Sequence, residues 1–206
     1  MSLQVESGPD LTFRPVTVEN LDDLQSFSRS HGKFGYCSCM RWRMTSSQFS
    51  GSSREQRALC LAAIVHDGLP VGVLAYMGGE PVAWCSVAPR ETFDGLERSR
   101  VLRRIDDSPV WSVTCFFLDT RVRRRGVSAA LLRAAIDYAR SQGAVCLEAY
   151  PVDEQARSYR FMGRRRLFER VGFVDVTPSG RSRVVMRLEF ASPAQQAHPA
   201  DGQKVD

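Results

Sequence analysis

The stretch that most constrains the fold runs through residues 110–142. A strongly apolar run, 110–118, leads into a turn holding Arg121, Arg123, Arg124, Arg125 and Gly126. A helical repeat follows, 127–142, with Leu131, Leu132, Ala135, Ile136 and Ala139 on one face and Gly143 as its stop. An apolar strand that feeds an amphipathic helix buries both only when the helix packs back on a sheet. With the apolar run 145–150 as the next strand, the unit is a right-handed crossover between parallel neighbours.

Around this unit the pattern predicts a strand over 11–17, helices over 18–31 and 54–66, and hairpin strands over 70–77 and 81–87 joined by Gly78 and Gly79. It predicts further helices over 93–105 and 158–171, and a closing hairpin of 173–176 with 183–190. Residues 32–53 read as the least regular part, though Phe34, Tyr36, Met40, Trp42 and Phe49 give them more aromatic and apolar surface than a linker needs. Trp84 and Trp111 lie in strands and are read as core. The order describes an α/β domain whose sheet mixes antiparallel and parallel pairs.

A length of 206 residues suits one good core. The expected domain spans 11–190, after an N-terminal extension at 1–10 and before a flexible tail at 191–206 that is rich in Pro, Gln, Ala and Asp. With 43% apolar and 25% charged residues the composition is that of a globular protein. No apolar run reaches the roughly 18 residues of a membrane span. Residues 1–10 carry no basic leader with an apolar stretch behind it, so a cytoplasmic location is expected.

The six cysteines read as thiols, most of them inside apolar elements, rather than as a disulfide framework. Cys37 and Cys39, with His31 nearby, invite a metal reading, but no second ligand pair accompanies them and no metal is expected. The alternative is that this segment lines an acceptor pocket or packs on the domain. The net charge of +5 is almost all arginine. No basic stripe with interleaved aromatics appears, so no nucleic-acid partner is expected.

The turn carries the chemistry. A helix N-terminus offers unpaired N–H groups and partial positive charge, and it attracts anions. Gly126 opens the backbone to a phosphate, Ser128 and Ala129 keep the first turn slim, and the arginines add charge.

The run Arg123, Arg124, Arg125, Gly126, Val127, Ser128 resembles the acyl-CoA-binding motif of the GNAT superfamily of N-acyltransferases: Arg or Gln, two residues, Gly, one residue, then Gly or Ala. Ser128 stands where Gly or Ala is usual. Residues 167–173, ending in Gly172 and Phe173, are similar to a second segment of that family, and the element order agrees from about Leu11 to Phe190. The resemblance implies a mostly antiparallel sheet with a splayed central parallel pair, flanked by helices. It also implies acetyl-CoA as co-substrate, an amine as acceptor, direct attack in a ternary complex, and a homodimer as the family-level assembly.

Residue by residue, the pyrophosphate would lie on Arg123, Arg124, Arg125, Gly126, Val127, Ser128 and Ala129. Pantetheine would pair with the backbone of Phe116, Phe117 and Leu118. Many family members place a tyrosine four residues before the Gly-Phe pair, to protonate the departing thiolate; Phe168 stands there in this chain. Tyr159 and Tyr150 are the candidate replacement donors. Glu148 and Glu80 are candidate bases, and each also reads as a solvated surface charge. Arg164, Arg165 and Arg166 read as a solvated helix face or as contacts for the 3′-phosphate of CoA. A non-catalytic acyl-CoA-binding module of the same fold is the alternative that Phe168 motivates.

Overall fold

The computed structural model describes residues 11–190; the expected extension and tail lie outside the described residues. Seven strands form: β1 (Leu11–Pro15), β2 (Gly72–Met77), β3 (Glu80–Pro89), β4 (Trp111–Leu118), β5 (Cys146–Ala149), β6 (Val174–Asp175) and β7 (Met186–Glu189). They make one sheet in the order β1-β2-β3-β4-β5-β7-β6, antiparallel except for the β4–β5 pair. The mixed sheet with a central parallel pair is therefore present as expected. Among the described residues no helix is long and apolar enough to cross a membrane.

The helices are α1 (Leu21–Ser30), α2 (Gly32–Cys37), α3 (Ser46–Gly51), α4 (Arg54–His66), α5 (Asp94–Glu97), α6 (Val127–Ser141) and α7 (Arg165–Glu169). Helix α6 buries Leu131, Leu132, Ala134, Ala135 and Ala139 against one face of the sheet, together with Val73, Ala75, Cys85 and Leu147. Each of the two leucines contributes about 1.5–3 kcal/mol by leaving water. The alternate residues Leu74, Tyr76 and Trp84 face the opposite side, where Leu24, Phe27, Phe34, Leu61 and Val65 cover them. A third cluster joins Trp42, Phe93, Leu96, Leu102, Tyr150 and Met162. Trp84 and Trp111 are both core residues, as their strand positions implied. All six cysteines are free; Cys60 on α4 is exposed, while Cys39, Cys85 and Cys146 are buried.

Three segments depart from the sequence pattern. Residues 32–53, expected to be irregular, contain α2 and α3. Thr45 accepts from the Gln48 N–H while the Gln48 side chain reaches back to the Thr45 N–H, a capping box that a Ser-rich stretch hides. The helix expected over 93–105 shrinks to the single turn α5. The Ser99 hydroxyl takes the Leu102 N–H and the Arg90 guanidinium takes the Leu102 carbonyl at 2.6 Å, so tertiary partners replace helical ones.

The helix expected over 158–171 is broken at Gly163. Before it lies a short 3-10 turn, Arg160–Met162, and after it the five-residue α7. Gly163 has φ +87°, and a Cβ there would lie 2.8 Å from the Phe168 ring. Its carbonyl accepts from the Val152 N–H, which ties the break to the chain leaving β5. Gly163→Ala is expected to cost about 1–3 kcal/mol through strain and collision. The urea midpoint should fall at unchanged slope, and an unmoved midpoint would show that the break is not imposed at this glycine.

Candidate functional site

The β4–β5 ladder is short. It pairs Trp111 with Leu147, Ser112 with Glu148 and Val113 with Ala149, then ends, although β4 continues beside β3 to Leu118. Ser86 faces Cys115 and Val87 faces Val113, so Thr114 is an extra residue on β4, a bulge that bends the strand at the point where the ladder stops. Beyond it, the Asp119 N–H donates to the Val82 carbonyl at 2.9 Å. Antiparallel pairs alternate between bonded and unbonded. Trp84 and Phe117 are thus the bonded pair, and Phe116 and Leu118 direct their N–H and C=O groups to the opened edge. Of the three residues expected to offer backbone there, Phe117 spends its groups on β3.

The turn after β4 brings positive charge to the same end. Asp119 takes the Arg121 guanidinium at 2.9 Å, and Glu80 lies 3.4 Å from it, so Arg121 is neutralised. Arg123, Arg124 and Arg125 are exposed and have no ion pair among the described residues; Arg123 donates to the Leu118 carbonyl at 3.3 Å. Arg124 and Gly126 both have positive φ, +62° and +77°. Open space lies where a Gly126 Cβ would stand. Gly126 caps α6 without any side-chain hydrogen bond, so the N–H groups of Val127 and Ser128 have no partner among the described residues, while the Ala129 N–H turns back to the Gly126 carbonyl at 3.0 Å. The Val127 side chain is buried in the core, which leaves its backbone as the part that faces outward chemistry.

His31 lies beside this end of β4 and not with Cys37 and Cys39. Its Nδ1 is 2.8 Å from the Phe27 carbonyl, its Nε2 is 3.4 Å from Asp119, and its ring meets Phe117 edge-on at 5.1 Å. Burial works to raise the Asp119 carboxyl, but Arg121 and His31 together hold it below the usual aspartate range. Cys39 instead accepts from the Trp84 Nε1 at 2.7 Å. Burial and the neighbouring Cys39 push the Cys37 thiol up to about 11, which keeps it protonated near neutrality. Among the described residues no group of three or more metal-ligating side chains assembles.

The four residues put forward for acid–base work have different surroundings. Glu148 is not a solvated charge: it is 1% exposed, with Arg90 at 2.7 Å on one oxygen and Arg187 at 2.8 Å on the other. Register explains half of this, since Glu148 and Arg187 face each other across β5 and β7. Tyr150 is fully buried; its hydroxyl donates to Glu148 at 2.6 Å and lies 2.7 Å from the Ser112 hydroxyl. Burial, then the Glu148 charge, push that phenol well above its ordinary value. Tyr159 is only half-buried, stacks on Trp42 at 6.0 Å, and lines an open cleft. Glu80 is an exposed partner of Arg121.

The remaining arginine cluster divides in the same way. Arg165 pairs with Glu169 and Asp175, and Arg164 donates to the Asp153 carbonyl, while Arg166 is exposed.

Residues 37–173 match the family model described as the acetyltransferase (GNAT) family. The chain belongs to the GNAT acetyltransferase family. None of the curated proteins matches it in sequence. Among solved structures it is similar to the GNAT domain of S. lividans PAT, at 16% identity over 92% of this chain and 96% of that one, with a TM-score of 0.53. It is also similar to yncA from Salmonella typhimurium with its cofactor acetyl-CoA, at 17% identity, 93% and 98% coverage and a TM-score of 0.53. A third is the ribosomal-protein-alanine N-acetyltransferase from Brucella melitensis, at 20% identity, 86% and 99% coverage and a TM-score of 0.52. At these identities the likeness is one of fold.

In this GNAT chain Phe168 is fully buried, edge-on to Phe116 at 5.9 Å and to Phe173 at 5.3 Å. The position has become part of the core beneath the opened edge. Sequence reasoning missed Arg90, Arg187 and Ser112, which hold Glu148 and Tyr150. Arg187 had one readable signal, its place in a strand opposite an acid, but only once the register is known. Glu148→Gln leaves two buried guanidiniums short of charge and is expected to cost about 3 kcal/mol or more in unfolding free energy. Chemical denaturation checks this; stability kept within about 1 kcal/mol with turnover abolished would assign Glu148 to the chemistry instead.

Proposed function

We propose that the chain transfers an acetyl group from acetyl-CoA to a primary amine by direct attack in a ternary complex. The observation that carries this is two sets of unpaired backbone N–H groups at one end of β4: those of Val127 and Ser128 at the Gly126-headed start of α6, and those of Phe116 and Leu118 on the opened β4 edge. The diphosphate of the co-substrate suits the first, with Arg123, Arg124 and Arg125 adding charge and Ser128 and Ala129 leaving room. Pantetheine amides suit the second. The thioester then falls between β4 and β5, where a β4 N–H can stabilise the oxyanion that forms as the amine attacks. The C–S bond breaks, the nitrogen loses its proton, and the thiolate takes one up.

Of the candidate donors, Tyr159 is the one whose phenol is neither sealed in the core nor committed to a carboxylate, and we assign it that role. Glu148 and Tyr150 act as supports for β5. A GNAT structure that holds acetyl-CoA, that of yncA, supports the choice of co-substrate. Phe168 favours a second reading, an acyl-CoA-binding module without turnover.

Calorimetry with acetyl-CoA and a thiol-release assay over an amine panel separate the two. Acetyl-transfer predicts both heat and turnover; heat alone across the whole panel would favour the binding module. Gly126→Glu places bulk and negative charge against the diphosphate in a spot with open space, and its φ of +77° adds a strain of only about 1–2 kcal/mol, so the protein should remain folded. Its affinity for acetyl-CoA should fall at least roughly 100-fold, about 2.8 kcal/mol. Unchanged affinity would remove the α6 turn from the site.

A further inference from the structure

A cleft of about 310 Å³ lies between the chain leaving β5 and the chain entering β7, lined among others by Asp153, Arg157, Ser158, Tyr159, Ser182 and Arg183. It adjoins the open end of the parallel pair. Tyr150, which follows β5, receives the Arg183 Nη2 on its carbonyl at 3.3 Å. The segment that begins with Tyr159 ends at Gly163, beside Phe168 and Phe116. Tyr159 also has φ +56°, which turns the chain at the cleft wall.

The wall of the cleft carries two arginines. Arg90, Arg121, Arg165 and Arg187 each have a carboxylate within 4 Å. Arg183 and Arg157 have none among the described residues. Arg183 is half-buried, its guanidinium lies over the Tyr159 ring at 5.1 Å, and its neutral contacts are the Tyr150 carbonyl and the Met162 sulfur. Burial pulls its proton affinity below the ordinary arginine value. A half-buried cation without a counter-ion is costly, and a planar anion that accepts two N–H bonds relieves that cost best. Arg157 is exposed on the same wall, and Asp153 is the one acid among the lining residues, so the guanidiniums outnumber the carboxylates two to one.

We propose that this cleft holds a carboxylate of the acceptor, with Arg183 as its inner and Arg157 as its outer contact, so that the preferred acceptors are small amines that carry a carboxyl group. The proposal rests on the acetyl-transfer reading and narrows its substrate class. A volume of about 310 Å³ suits an amino acid or the last residue of a peptide.

The test uses the full chain with acetyl-CoA binding measured first by calorimetry, then turnover on matched acceptors. The acceptors are the α-amino acids, their carboxamides, and short peptides with free or amidated C-termini. The expected result is kcat/KM at least roughly 30-fold higher for a free carboxylate, in the amino-acid arm, the peptide arm or both. Arg157→Gln, at an exposed position that leaves the fold alone, should reduce that preference several-fold, and Arg183→Gln should abolish it while acetyl-CoA affinity is kept. Turnover equal on acids and amides, or a preference that both variants retain, would overturn the proposal with the acetyl-transfer reading intact. Absent acetyl-CoA binding would overturn that reading and this proposal with it.

Discussion

The structure is organised around a parallel ladder that stops early. Three pairs join β4 to β5, and then each strand is diverted by a local cause. On β4 the extra Thr114 bulges toward Ser86, its hydroxyl donating at 3.2 Å. On β5 the Tyr150 phenol is held by Glu148, Ser112 and Arg90, and Pro151 follows with no N–H to give. Val152 then bonds to the Gly163 carbonyl and not to β4. The Phe116 groups and the Leu118 N–H that face the gap are therefore left for something other than protein, while the Leu118 carbonyl takes the Arg123 guanidinium at 3.3 Å.

Holding strands apart costs pairing energy, and the buried charges at the back of the sheet show how the gap is fixed. Glu148 joins Arg90 from the end of β3 and Arg187 from β7, while Arg187 reaches Asp106 at 2.6 Å and Arg90 reaches Glu97 at 2.8 Å. The two acids outside the core anchor the long connection between β3 and β4, which has almost no helix of its own. Such a network is weak as a source of stability but exacting about geometry, because each member left alone is a buried charge. It ties β5 to β3, to β7 and, through Ser112 on Tyr150, to the paired start of β4.

How much was legible follows from where each feature's cause lies. The β4 run, the arginine turn and α6 were readable because their causes are local: apolar periodicity, a glycine at a positive-φ position, and a helix start. The Phe168 departure was visible too, though its consequence, a ring packed on Phe116, was not. The segments 93–105 and 158–171 resisted because their backbone partners come from far along the chain: Arg90 on the Leu102 carbonyl, and Val152 on Gly163. Glu148 read as a surface charge because nothing in its own neighbourhood announces two arginines at positions 90 and 187. The same holds for the cleft at Arg183, which exists only once β5 and β7 are side by side.

The central claim is that two groups of unpaired amides, on the β4 edge at Phe116 and Leu118 and at the turn that opens α6, together form the binding surface for the co-substrate. Backbone amide NMR during a titration with coenzyme A tests it directly. The largest shift changes are predicted at Phe116, Leu118 and residues 124–128, with Phe117, whose N–H is committed to β3, moving less than either neighbour. Saturable binding that leaves those amides still while others move would contradict the account.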